Sequence, residues 1–337
     1  MHDRRARPTL RLVQGELAGT WDDPWPSRCI AEGRLEDLHP FAALPHPLVT
    51  KAAKSFGGPD GDSYHEKIKT VDRIVLWEIR AGQWRGAVYQ DESSGVYWLC
   101  AAGLAKGDHK DRDDFYEILG RMDNDEIDAL LPTEDDILHL KRETASARLT
   151  QWELDIQQKV HDALITLGAS GSTRIALDDP LGKRHFGTVD ITTDTFDEPG
   201  YLREECVVEF NLEPRYRSTD LGWRMAQRVL ISICPPVQGW DRTGDMYSTI
   251  LDVGGLDAQI SALKAEIASG KLATLALGDV AHYTHRQHLA ENTVEGRAVR
   301  ALCGVFFVPM QDHAKFDPCP ECDRVRETIP ETTAALD

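Results

Sequence analysis

The sequence predicts an α+β fold with several domains. Short runs rich in Val, Ile, Trp and Tyr, separated by turns, alternate with amphipathic stretches, and 337 residues are enough for two or three domains. Charged residues are 28 % and hydrophobic residues 41 % of the chain, an ordinary globular balance. A Cys-x-x-Cys pair near the C-terminus adds a metal-binding motif. We therefore expect a small antiparallel-sheet domain, a central α+β layer domain and a C-terminal metal-binding ribbon.

The first sheet is predicted between residues 73 and 103. Three strand-like runs, at 73–80, 84–89 and 96–103, are separated by short turns that contain glycine, which is typical of a β-meander. Lys106 and His109 follow the third run, and a helical stretch comes next. Because reactive side chains are often placed where a rigid sheet meets an accessible loop, this region is the first candidate for a functional site.

The meander resembles the core of the RelE/HigB-type toxin superfamily. The shared order is Leu-Trp-Glu-x-Arg, a turn, x-Arg-x-x-x-Tyr, a turn, an apolar strand and a Lys. Members of that superfamily are compact, ribosome-associated endoribonucleases that need no metal. The resemblance implies that Arg80, Arg85 and Lys106 hold the scissile phosphate. It also implies that His109 or Tyr116 transfers protons, and that RNA or the ribosome is the partner.

A non-catalytic interaction or regulatory protein, with a degenerate toxin-like domain and a protein partner, is the alternative. The formal net charge of −18 argues against a strong RNA binder, because phosphate contacts normally require a basic face. The acid-rich segment 107–114 also replaces the further lysines, Thr and Pro that the superfamily has at this point. Arg80 and Arg85 flank a turn and are able to pair simply with Asp91 or Glu92.

The remaining segments predict further elements. Residues 1–45 are expected to form an irregular arm, with the first ~15 residues mobile. Thr133 and Thr150 each begin a capping box, which predicts two separate helices at about 134–147 and 151–167. The other predicted elements are a helix at 47–56, strands at 173–177, 185–193 and 206–212, and helices at 223–234 and 252–270.

The strongest chemical signal lies near the C-terminus. Cys319 and Cys322 place two sulfur ligands on one tight turn, the spacing that tetrahedral zinc requires. Cys303, followed by glycine and an aromatic strand, forms the other half of a ribbon. A disulfide between Cys319 and Cys322 is the rival interpretation. The fourth ligand has several candidates, namely His282, His285, His288 and His313.

This segment resembles a family of small, mostly actinobacterial zinc-ribbon-like proteins of unknown function. The shared pattern consists of His282-Tyr283, Ala301–Gly304, Phe307–Pro309, Lys315-Phe316 and Cys319–Cys322. The resemblance favours His282 over the other histidines. It implies structural Zn²⁺ held by His282, Cys303, Cys319 and Cys322, because a closed four-ligand site leaves no position for a catalytic water.

These observations predict six segments and a cellular setting. Cys29, Cys100, Cys206 and Cys234 lie among apolar residues and are expected to be buried thiols. No apolar run of about 18 residues and no secretory signal are present, which predicts a chain without a membrane partner. The odd number of seven cysteines, three of them with metal-type spacing, favours a reduced, cytoplasmic setting. The expected segments are an arm (1–45), a RelE-like α/β domain (46–122), a helical acidic linker (123–150), a central α+β domain (151–235), a helical connector (236–275) and a zinc-ribbon-like domain (276–330).

Overall fold

The computed structural model has a mixed α+β architecture with several sheets. The chain divides into two compact units, Met1–Ala147 and Arg148–Asp337. The finer division into six segments stays a prediction. Among the helices that the structure describes, none is long and apolar enough to cross a membrane. The described residues are 3–21, 23–58, 62–63, 65–106, 111–198, 201–235, 239–276, 278, 280–284, 289, 299–303, 305–309 and 313–328.

A four-stranded sheet forms the centre of the first unit. Its strands are β1 (Arg7–Pro8), β2 (Leu76–Ala81), β3 (Trp84–Asp91) and β4 (Val96–Leu104), in the order β1-β4-β3-β2. Strands β2, β3 and β4 pair antiparallel, as predicted for the meander, and β1 pairs parallel to β4. Strand β3 therefore lies between β2 and β4, which brings the C-terminal end of β4 to the β2–β3 turn.

Helices cover both faces of this sheet. Val88 and Leu99 lie in the apolar core on one face, whereas Ala87 and Trp98 lie in the core on the other. Burial on both faces explains why β4 is apolar along almost its whole length instead of alternating. The helices of this unit are α1 (Leu10–Gln14), α2 (Pro24–Ala31), α3 (Pro47–Ser55), α4 (Phe115–Arg121), α5 (Asn124–Asp128) and the start of α6 (Glu134–Ser170).

The prediction of an irregular, mobile N-terminal arm is wrong for the described residues. Strand β1 belongs to the sheet, and the Thr9 amide donates to the Leu99 carbonyl at 3.1 Å. Arg7 is buried and forms an ion pair with Glu143, with 2.7 Å between Nη1 and Oε1. These partners lie far away in the sequence, so local periodicity gave no sign of them.

Helix α6 is a single helix of 37 residues, Glu134–Ser170, where the two capping boxes predicted separate helices. The first capping box is present, since the Thr133 amide donates to Asp136 Oδ2 at 2.8 Å and the Asp136 amide donates to Thr133 Oγ1 at 3.3 Å. The prediction of a second start at Thr150 is wrong. Residues 144–150 contain neither Gly nor Pro, so nothing interrupts the helix there.

The second unit contains a five-stranded antiparallel sheet in the order β5-β6-β7-β9-β8. Helices α7 (Asp220–Ile233) and α8 (Gly255–Ala268) and the later turns of α6 contribute to its apolar core. The predicted strands and helices of this region are present. The half-exposed hairpin β8–β9 was not predicted, because its polar residues carry little alternation. The strands are β5 (Ser172–Asp178), β6 (His185–Glu198), β7 (Tyr201–Leu212), β8 (Asp241–Thr243) and β9 (Met246–Leu251).

Candidate functional site

Two short strand pairs bring the C-terminal cysteines and a histidine together. Strand β10 (Val280–Ala281) pairs parallel with β13 (Asp317–Pro318), so His282 and Cys319 leave neighbouring strands at the same end. Strand β11 (Val299–Arg300) pairs antiparallel with β12 (Phe306–Phe307), and Cys303 lies in the connection between them. Helix α9 (Pro320–Glu327) begins directly after Cys319 and carries Cys322 in its first turn.

Backbone hydrogen bonds fix the two pairs against each other. The Cys319 amide donates to the Ala281 carbonyl at 2.8 Å, which sets the start of α9 beside His282. The Leu302 amide donates to the Tyr283 carbonyl at 2.7 Å, which ties the Cys303 connection to the same segment. The four potential ligands are therefore positioned by main-chain contacts and not only by their own side chains.

The geometry of these four residues fits a single metal ion. The Nδ1 atom of His282 lies 3.5 Å from Cys303 Sγ and 3.6 Å from Cys322 Sγ. All four potential ligand atoms, including Cys319 Sγ, lie within 4.8 Å of one another. Tetrahedral zinc with Zn–N of about 2.0–2.1 Å and Zn–S of about 2.3 Å separates N from S by about 3.6 Å. The spacing thus matches the edge of one coordination tetrahedron.

The site is sheltered and rich in thiols. Cys319 and Cys322 are buried, and Cys303 is partly exposed. The pKa of the Cys303 thiol is raised to about 11, mainly by burial and also by the neighbouring sulfur atoms of Cys322 and Cys319. The Cys303 thiol therefore resists ionisation by itself, whereas a coordinated cation stabilises a thiolate outright. This donor set, with one imidazole and three sulfurs, is the kind that binds zinc.

The structure also bears on the alternatives for this site. All seven cysteines are described and free, so the Cys319–Cys322 disulfide is not formed. His313 lies in a short 3₁₀ turn and is exposed, outside the group of four. His285 and His288 lie outside the described residues. The predicted thiol burial at Cys29, Cys100, Cys206 and Cys234 is confirmed.

A second group of functional side chains lies in the first unit. Arg80 and Arg85 are directly opposite each other in the β2–β3 register, as expected for residues that flank a tight turn. Both turn toward Glu78, a residue that sequence reasoning did not select. Arg80 Nε and Nη2 donate to the two Glu78 oxygens at 2.5 and 2.8 Å, and Arg85 Nε lies 3.8 Å from Oε1. The expected pairing with Asp91 or Glu92 is replaced by this carboxylate.

Tyr116 of α4 completes this group, because its hydroxyl donates to Glu78 Oε1. Burial tends to raise the pKa of Glu78, but hydrogen bonds from Arg80 and Tyr116 outweigh it, so the pKa is lowered. Burial and the neighbouring Glu78 carboxylate raise the pKa of Tyr116. Glu78 is therefore ionised at neutral pH and Tyr116 keeps its proton. The available sequence signal for Glu78 was its position as a charged residue between the apolar residues Trp77 and Ile79.

Lys106 is the remaining predicted site residue of the first unit that the structure describes. Lys106 leaves the sheet at the β2–β3 end, since the preceding Ala105 amide donates to the Gln83 carbonyl at 2.9 Å. Its ammonium pairs with Asp113 at 3.4 Å and not with Glu78. His109 lies outside the described residues. The structure thus brings together Arg80, Arg85 and Tyr116.

The C-terminal region is similar to a known protein family. Residues 277–329 match a family described as "Protein of unknown function (DUF3039)". The matched stretch contains His282, Cys303, Cys319 and Cys322, which agrees with the expected resemblance to a family of unknown function. No curated protein and no solved structure matches the chain. The RelE resemblance stays a prediction.

Proposed function

We propose that this chain is a zinc-stabilised protein whose C-terminal region folds around one structural Zn²⁺. The observation that carries the proposal is the close grouping of His282, Cys303, Cys319 and Cys322, whose potential ligand atoms all lie within 4.8 Å of one another. All four positions are filled by protein ligands, so the ion polarises no substrate and activates no water. Its role is to contribute binding free energy to folding, because strands β10 to β13 are only two residues long each.

Metal analysis of purified variants tests this proposal. Protein purified without chelator should contain one zinc per chain, and Cys322→Ala should contain none. Cys234→Ala is a matched control, because Cys234 is also buried but lies outside the group of four. His282→Ala should lose the metal, whereas His313→Ala should keep it. Zinc-free wild-type protein, or full occupancy in Cys322→Ala, would contradict the proposal.

RNA cleavage is a second candidate, supported by the convergence of Arg80, Arg85 and Tyr116 on Glu78. In this proposal the Glu78 carboxylate takes the proton from a ribose 2′-hydroxyl, and the freed oxygen attacks the adjacent phosphorus. The bond to the 5′-oxygen breaks, and Tyr116 donates a proton to that leaving oxygen. The products are a 2′,3′-cyclic phosphate and a 5′-hydroxyl. Arg80 and Arg85 stabilise the charge that develops on the phosphate.

A cleavage assay on ribosome-bound and free RNA tests this second candidate. Arg85→Ala and Tyr116→Phe should each lower the rate by roughly 10²–10³, the usual effect of removing one stabilising group. Arg73→Ala is the control, because Arg73 is a partly exposed arginine of the same unit that pairs with Asp128 instead. Intact RNA after incubation with wild-type protein, or equal loss in the control, would favour a non-catalytic role in binding a partner.

A further inference from the structure

The second unit has a cleft of about 220 Å³ beside helix α7 that neither proposal above uses. This volume exceeds the ~150 Å³ cavity that accommodates benzene in other proteins, so one or two rings fit. Apolar atoms dominate the walls, and the polar groups are few. The lining residues on which the argument depends are Trp223, Leu230, Trp240, Arg242 and Tyr247.

Three aromatic side chains give the cleft flat, apolar walls. Trp223 of α7 is 61 % exposed, an unusual position for the largest apolar side chain. Trp240 is buried, and its indole N–H donates to the Cys234 carbonyl at 3.1 Å, which fixes the orientation of its ring. Tyr247 of β9 packs against Phe210 edge to face, with 5.5 Å between the ring centroids. Rigid aromatic walls bind ring systems with little loss of conformational entropy.

One positive charge lies at the edge of these walls. The Arg242 guanidinium lies 5.4 Å from the centre of the Tyr247 ring, and its Nε donates to the Gly244 carbonyl at 3.0 Å. The carboxylate of neighbouring Asp241 accepts from the Arg242 backbone amide at 2.8 Å. Within the described part of the chain, Arg242 forms no ion pair with a carboxylate. Its charge is therefore available to an anionic group of a ligand.

We propose that this cleft binds a small molecule with one or two aromatic rings and a single anionic group. The rings lie against Trp223, Trp240 and Tyr247, and the anion pairs with Arg242. Charge complementarity selects this occupant over a neutral apolar molecule, because a guanidinium that has no ion-pair partner among the described residues forms a charge-assisted contact with an anion. The proposal depends neither on RNA cleavage nor on the identity of the metal.

Titration of full-length protein with naphthalene-1-sulfonate tests the proposal, since this probe combines two aromatic rings with one sulfonate. We expect saturable binding at one site per chain. Trp223→Ala should weaken binding by about tenfold, equivalent to about 1.4 kcal/mol. Arg242→Gln should weaken binding of the sulfonate by about tenfold, but binding of neutral 1-naphthol by less than twofold. Both variants should keep the circular dichroism of the wild type, because both side chains reach solvent.

Trp25→Ala is the matched control. Trp25 is 44 % exposed and carries the Arg34 guanidinium at 5.1 Å from its ring, so it presents the same side chains outside the cleft. Unchanged binding in this control supports the cleft assignment, and equal weakening overturns it. Unsaturable binding also overturns it, as does equal affinity of wild type and Arg242→Gln for the sulfonate. A dimer that dissociates in Trp223→Ala would identify a second copy of the chain as the occupant and refute the small-molecule proposal.

Discussion

Replacing Arg7 by methionine should destabilise the first unit strongly. Arg7 and Glu143 have side chains that are 1 % and 6 % exposed, and their charged atoms lie 2.7 Å apart. The variant leaves the buried Glu143 carboxylate with the hydrogen bond from the Phe41 amide, at 3.0 Å, as its one remaining hydrogen bond among the described residues. Breaking a buried ion pair in this way typically costs about 3–5 kcal/mol. That is a large part of the ~5–15 kcal/mol by which a folded protein is stable.

A double variant separates the effect of the unpaired charge from the loss of packing. Arg7→Met together with Glu143→Leu removes both charges of the pair and leaves the Phe41 amide without its acceptor, at about 1–3 kcal/mol. Asp3, whose carbonyl accepts from Arg7, loses that contact in the single and the double variant alike. The double variant should therefore be more stable than Arg7→Met alone. Arg5→Met is the control, because the pair of Arg5 with Asp3 is partly exposed and worth about 0–1 kcal/mol.

Urea unfolding, monitored through hydrogen exchange at the backbone amides of β4, measures the stability of this unit separately from the rest of the chain. Two results would contradict this prediction: a loss of stability in Arg7→Met no larger than in Arg5→Met, or a double variant no more stable than Arg7→Met. Either result would mean that the N-terminal strand does not depend on the buried pair.

Three further predictions test particular elements. Gln151→Pro should lower the free energy of unfolding by about 3 kcal/mol, measured by thermal or urea unfolding, because residue 151 lies inside a continuous helix. If a separate helix began at residue 151, proline would be tolerated in its first turn and stability would not change. Glu78→Gln should be less stable than wild type at pH 7, and the difference in melting temperature should shrink as the pH falls below 4.5. Because the pKa of Glu78 is lowered in the folded protein, the ionised carboxylate stabilises the fold at pH values above the ordinary pKa of a glutamate. This stabilisation is lost as the pH falls through the pKa that Glu78 has in the folded protein. Gly222→Ala should destabilise by about 1–3 kcal/mol despite the better helix propensity of alanine, because the new Cβ would lie 2.2 Å from the Tyr216 carbonyl oxygen; a gain in stability would refute this.

The candidate metal centre was predictable from the sequence because two of its ligands belong to one short motif. A Cys-x-x-Cys pair fixes two ligands on one turn whatever the rest of the chain does. The third cysteine was selected because glycine and an aromatic strand follow it, and His282 was selected by resemblance; the structure brings all four together. The cation group was predicted only in part. Arg80 and Arg85 lie opposite each other because a tight turn joins their strands. Their contacts with the Glu78 carboxylate could not be predicted from residue type.

The elements that the sequence determined by itself are those with a strong local pattern. The meander strands, α3 and α7 follow from runs of β-branched and aromatic residues, from helical periodicity and from proline or glycine at the ends. Side-chain pattern alone specifies such elements, since each residue's preference agrees with those of its neighbours.

Tertiary structure decided the features that depend on distant partners. Strand β1 is too short to show alternation and exists because β4 offers an unpaired edge and Glu143 compensates Arg7. Helix α6 continues past Thr150 because a capping residue acts only where the chain already leaves the helix, and no residue there forces it to leave. The free energy of these features comes from long-range pairing and burial, which a local stretch of sequence does not encode.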